Sequence, residues 1–142
     1  MRFVFGAVLL LALAGCGTDS AAPASPSTFT VTGTVTVPGG STARGLDGET
    51  CVMDGGYSDI AEGAQVVITN AAGTTIALGR LGEGILDTPG PDEPYGSHCE
   101  FSFKVEKVPA GAAFYGIEVA HRGRLQYTAE SIKQPLRLTL GD

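Results

Sequence analysis

Residues 28–37, Thr-Phe-Thr-Val-Thr-Gly-Thr-Val-Thr-Val, alternate without a break between threonine and a non-polar residue. In an extended strand successive side chains point to opposite faces, whereas a helix gathers positions three and four apart. A strict period of two therefore admits only a strand with one face buried and one face in water. Phe29, Val31, Gly33, Val35 and Val37 form the core side of that strand, and Pro38-Gly39-Gly40 ends it.

The same texture returns along the chain. Residues 64–69 (Ala-Gln-Val-Val-Ile-Thr) connect through Asn70-Ala71-Ala72-Gly73 to residues 74–78, which reads as a hairpin. Residues 99–106 alternate with Cys99, Phe101 and Phe103 on one side. In residues 114–119 the buried stripe is Tyr115, Ile117 and Val119. Residues 125–128 and 136–140 complete the set, the last with Leu136, Leu138 and Leu140 inward. Apart from one turn around residues 129–133, no segment carries a helical period. Seven short alternating strands separated by turn residues predict an all-β domain, an antiparallel seven-stranded β-sandwich. Residues 38–62 and 79–98 are left as long loops, and each leads to a cysteine.

The N-terminus has a different character. Arg2 precedes an apolar run over residues 3–14, too short for the roughly 30 Å hydrocarbon core of a bilayer. It closes on Leu13-Ala14-Gly15-Cys16, which resembles a bacterial lipobox, and so reads as a lipoprotein signal peptide over residues 1–15. Cys16 is then the acylated (diacylglycerol and palmitate) first residue of the mature chain. Residues 16–27, rich in Ser, Ala and Pro, form a flexible tether, and residues 28–142 form the domain. The expected location is the extracytoplasmic face of the cell membrane, with the lipid as the membrane partner. Lys and Arg number 9 against 15 Asp and Glu, and loss of Arg2 with the leader brings the balance to −7. A phosphate backbone repels such a chain, so no nucleic-acid partner is expected. With Cys16 lipidated, Cys51 and Cys99 remain as an even pair in an oxidising compartment and are expected to form a disulfide.

The order of elements resembles the carboxypeptidase regulatory-like group of prealbumin-type (transthyretin-like) sandwiches. The resemblance is carried by Val31-Thr32-Gly33-Thr34-Val35, Gly63-Ala64-Gln65-Val66-Val67-Ile68, Phe101-Ser102-Phe103 with Val108-Pro109-Ala110-Gly111, residues 114–119 and residues 136–140. It implies a prealbumin/Ig-like fold and a non-enzymatic role as spacer, adhesion module or partner-binding accessory. The fold also includes a hydrolase of 5-hydroxyisourate that ends in Tyr-Arg-Gly-Ser; this chain ends Thr139-Leu140-Gly141-Asp142, and that activity is not carried over.

Acidic residues concentrate in the two long loops. Asp47, Glu49, Asp54 and Asp59 are the candidate calcium ligands, because calcium takes six to eight oxygens from flexible loops. Their spacing is not that of an EF-hand, and carboxylates solvating a loop give the same pattern. Tyr57 and Tyr95, with Asp59, are the candidate recognition residues, since tyrosine supplies a rigid contact area with a polar tip. His98 and His121 lack a partner at zinc-ligand spacing, and no Gly-x-Ser-x-Gly is present. No catalytic residue is assigned. The expectation is a lipid-anchored binding or interaction module for an envelope protein or glycan, working through disulfide-tied loops without a cofactor. Two alternatives stand beside it: a hydrolase using loop carboxylates, and a structural spacer stabilised by calcium.

Overall fold

A computed structural model describes residues 25–38, 43–90 and 96–140. The leader, Cys16, most of the tether and Tyr95 lie outside the described residues. Each of the seven expected strands is present, as β1 (Thr28–Pro38), β4 (Gln65–Asn70), β5 (Thr75–Asp87), β6 (His98–Pro109), β7 (Phe114–Val119), β8 (Arg124–Thr128) and β9 (Leu136–Thr139). The two-residue strands β2 (Ala43–Arg44) and β3 (Val52–Met53) add a short ribbon.

The architecture corrects the expected antiparallel sandwich. All seven long strands belong to one mixed sheet, in the order β8-β7-β4-β5-β6-β1-β9, which curls until its two halves face each other. Strand β5 forms the corner. It was expected to stop near Leu78, yet it runs 13 residues, pairing with β4 through residues 75–80 and with β6 through residues 80–87. Gly79, Gly82 and Gly84 remove side chains at this bend, and the register shifts between Leu81 and Gly84, as a bulge requires. The second departure is β9, which pairs parallel to β1. A 3-10 turn, Ser131–Lys133, carries the chain from β8 across the end of the molecule, so β9 arrives running in the same direction as β1. Ile132 in that turn is completely buried and plugs this end of the core.

The inward residues are those set by the alternation: Val31, Val35 and Val37 from β1, Phe101 and Phe103 from β6, Tyr115, Ile117 and Val119 from β7, and Leu136 and Leu138 from β9. Two cross-strand pairs seat an aromatic ring over a glycine within the sheet. Phe103 lies over its cross-strand partner Gly33 and Phe101 over Gly84, where a β-carbon would meet the ring. At the plugged end Phe29 meets Tyr115 edge to face at 5.4 Å, and the Tyr115 hydroxyl donates to Pro109 O at 3.0 Å, fixing the β6–β7 turn. Here Ala110 N–H also donates to Ser27 O, so the chain enters the domain at the plugged end. The opposite end holds the end of β1, the β2–β3 ribbon and the disulfide.

Candidate functional site: the disulfide-tied cap

Residues 45–63 cap the end of the sheet far from where the chain enters, and backbone bonds decide how they lie. Beyond the point where β4 stops, β5 still presents an unpaired edge. Residues 48–51 take that edge: Gly48 N–H donates to Leu86 O (2.8 Å), Leu86 N–H to Glu49 O (2.9 Å) and Cys51 N–H to Gly84 O (2.8 Å). Asp47 accepts the Thr88 N–H at 2.8 Å and closes the far end of this run. The expected free loop is therefore an added stretch of sheet, which satisfies groups that would otherwise be exposed. Cys51 then sits buried against Cys99 of β6, and the expected disulfide is formed, with the Cα atoms 6.1 Å apart.

The next segment is held by one arginine. After the ribbon, a 3-10 turn over Gly55–Tyr57 sends Ile60 into the core, where it is fully buried. Arg122, from the β7–β8 turn, reaches back over this segment. Its Nε donates to Asp59 Oδ2 at 3.0 Å, its Nη2 donates to Asp59 Oδ1 and to Gly56 O, and its guanidinium stacks on the Tyr57 ring at 4.9 Å. The fork geometry of guanidinium matches a carboxylate in this way, and the ring face attracts the same cation. Hydrogen bonding to Arg122 lowers the Asp59 pKa below the ordinary carboxylate value, and the same contact raises that of Arg122. The turn that aims Arg122 places Ala120 at φ +45° and His121 at φ +63°, a left-handed pair that costs a non-glycine residue about 1 kcal/mol or more.

The sequence candidates fall into separate places. Tyr57 and Asp59 are together, but Arg122 already occupies both. Asp54 pairs with Arg44 on the ribbon, Asp47 binds backbone, and Glu49 is exposed on the β5 edge. Asp47, Glu49, Asp54 and Asp59 thus do not converge, and among the described residues no three His, Cys, Asp or Glu side chains gather as metal ligands. His98, at the start of β6, is buried with Nδ1 2.9 Å from Gly96 O and Nε2 3.7 Å from Asp87 Oδ2. His121 sits in the exposed turn, 3.3 Å from Glu118.

No family model, curated protein or solved structure matches this chain.

The cap's own surface is the remaining guide. Beside the disulfide lies a groove of about 360 Å³, lined by Thr50, Val52, Met53, Glu62 and Glu83 among others. The Thr50 hydroxyl donates to Glu83 at 2.5 Å across its rim. Val52 in its wall is 58% exposed, Leu46 on the same capping segment is 67% exposed, and Ile85 adds a partly exposed side chain beside Thr50. A groove with apolar patches and two carboxylates can hold a surface or a side chain of a partner. The sequence reading missed Arg122, because nothing local joins it to Asp59, 63 residues earlier. It also missed Val52 and Leu46, which belong to no alternating run.

Proposed function

We propose that the chain is a lipid-anchored, extracytoplasmic binding module whose recognition surface is the cap, with an envelope protein or glycan as partner and no reaction of its own. One observation carries the reading: Leu46 and Val52 stay exposed on a segment fixed by a disulfide, a backbone ladder and the Arg122 clamp. Solvent-exposed apolar groups on a rigid scaffold bind at little ordering cost, and unneeded ones would be a liability. Connectivity adds support, because the chain enters the domain at the end opposite the cap and so leaves the cap clear of its own point of attachment. The assignment to the carboxypeptidase regulatory-like group is part of the same proposal; the curled all-β sheet agrees with it.

The test is a photoreactive residue at position 52 in the intact lipoprotein in cells, with position 106 on the outer face of β6 as control. A discrete adduct from position 52 that Leu46→Asp removes supports the cap as the interface. Equal adducts from both positions, or none from position 52, reject it. Loss of membrane association in Cys16→Ser tests the anchor separately.

A further inference from the structure

The cap groove carries a charge pattern that narrows its occupant. Its lining combines apolar surface from Val52, Met53 and Ala61 with Glu62 and Glu83, and among the described residues no Lys, Arg or His lines it. Three other acids of this end are already served. Asp54 pairs with Arg44, Asp59 with Arg122, and Asp47 accepts the Thr88 N–H. Glu62 and Glu83 differ: neither forms an ion pair among the described residues. Arg80, on the same strand as Glu83, donates its Nη1 to Gly63 O at 3.0 Å instead.

Glu83 is also held at the groove. Its carboxylate accepts from the Thr50 hydroxyl at 2.5 Å, and Thr50 belongs to the stretch laddered onto β5, bridged to Ile85. A carboxylate has about four acceptor positions, so this bond leaves room for an incoming donor. Both sides of the groove are fixed. The disulfide ties Cys51 on one side, while Ile60 in the core and the Gly63 N–H to Leu81 O bond (2.9 Å) hold the stretch that carries Ala61 and Glu62.

An anionic group is repelled from this groove, and a purely apolar one leaves both carboxylates unused. A basic side chain fits both parts, because Lys and Arg carry an apolar stem that ends in a cation. The stem lies on Val52 and the head meets carboxylates that are still in water, so no existing ion pair has to break. The surroundings act in the same direction. Across the Thr50–Ile85 bridge a second depression is lined by Asp47, Asp87 and Glu100 beside Ile85, again without a cation among the described residues. A field of one sign over this end steers a partner of the opposite sign towards it.

We propose that the partner of the cap is a protein that inserts a lysine or arginine side chain into the groove, its stem against Val52 and its cation between Glu62 and Glu83. The proposal rests on the cap being the recognition surface and adds the chemistry of what is recognised there.

The probe is an acetylated, amidated Ser-Lys-Leu-Lys-Ser peptide with a fluorescent label, titrated into the full chain in neutral detergent and read by anisotropy. Saturable binding is expected, at least tenfold weaker when norleucine, which keeps the stem and removes the charge, replaces both lysines. Glu62→Gln with Glu83→Gln weakens binding of the lysine peptide at least tenfold. Both positions are exposed, and glutamine can still accept from Thr50, so an unchanged Tm is expected for this variant. Glu106→Gln with Glu130→Gln removes the same charge far from the cap and leaves binding unchanged. No saturable binding up to millimolar peptide overturns the proposal, as does equal binding of the norleucine peptide or an equal loss in the Glu106 and Glu130 variant. In cells, a position 52 adduct that persists in Glu62→Gln with Glu83→Gln overturns this proposal alone and leaves the cap as an interface. So does an adduct whose partner resists protease and is a glycan. Absence of any adduct from position 52 overturns the cap reading and this proposal with it.

Discussion

Gly84→Ala adds one methyl group where the curled sheet has no room for it. The Gly84 φ lies outside the left-handed region, so alanine is allowed by the backbone and only the space is at issue. A β-carbon there would lie 2.7 Å from Phe101 Cζ and 3.0 Å from Cδ1, and closer still to Cε1. Carbon atoms pack at roughly 3.5–4.0 Å, so the ring must move by about 1 Å inside a core with few voids. Overpacking of this kind costs about 1–3 kcal/mol, while replacing glycine stiffens the unfolded chain and returns about 0.4–1 kcal/mol. The net expectation is a loss of about 1–2 kcal/mol, or roughly 5–10 °C in Tm for a domain of this size. Urea unfolding measures it, with Gly56→Ala as control: position 56 also lacks a positive φ and has open space around it, and it should change stability by less than about 0.5 kcal/mol. Phe101→Leu supplies the second axis of a double-mutant cycle. The smaller side chain should relieve the clash, leaving the double variant at least about 0.5 kcal/mol more stable than additivity predicts. An unchanged midpoint for Gly84→Ala, or strict additivity with Phe101→Leu, refutes the claim that the missing side chain permits the bend.

Three further outcomes follow from the same geometry. Removing the disulfide with Cys51→Ala and Cys99→Ala opens a loop with a separation of 48 residues and should cost about 4 kcal/mol on the chain-entropy account; a Tm unaffected by reductant contradicts it. Asp59→Asn should cost about 0.5 kcal/mol at pH 7, since the carboxylate is 45% exposed. Because Arg122 depresses the folded pKa of Asp59, the stabilisation is present above the ordinary carboxylate value of about 3.9. It is lost as pH falls through the depressed value, so the Tm difference between Asp59→Asn and the native chain must shrink in acid. Persistence of that difference at the lowest pH tolerated would refute the ion pair as its source. Ile132→Ala empties the plug between β8 and β9 and should destabilise by about 2–5 kcal/mol in urea unfolding, with β9 amides exchanging faster; a loss under about 1 kcal/mol means the turn is not a core element.

The sequence by itself determined where seven strands lie and which face of each alternating run is buried. Alternation is a local property, and burial of one face leaves no other reading of residues 28–37, 114–119 or 136–140. It also paired Cys51 with Cys99 by elimination. What it did not determine are the relations between strands. That β5 continues to Asp87 follows from its neighbours, β6 on one side and residues 48–51 on the other, which reward an extended chain at positions where Gly82 and Gly84 carry no strand signal. Whether β9 runs parallel or antiparallel to β1 depends on how a 3-10 turn crosses the end of the core. The candidate site divides in the same way. Tyr57 and Asp59 were legible as a polar pair in a loop, but the Arg122 that holds them comes from 63 residues away in sequence. A cleft between β8 and β9 exists only because the sheet curls until its two halves face each other. Side-chain period is written in neighbours along the chain, whereas strand order, curvature and long-range ion pairs are set by packing free energy summed over the whole domain, and so only the tertiary structure decided them.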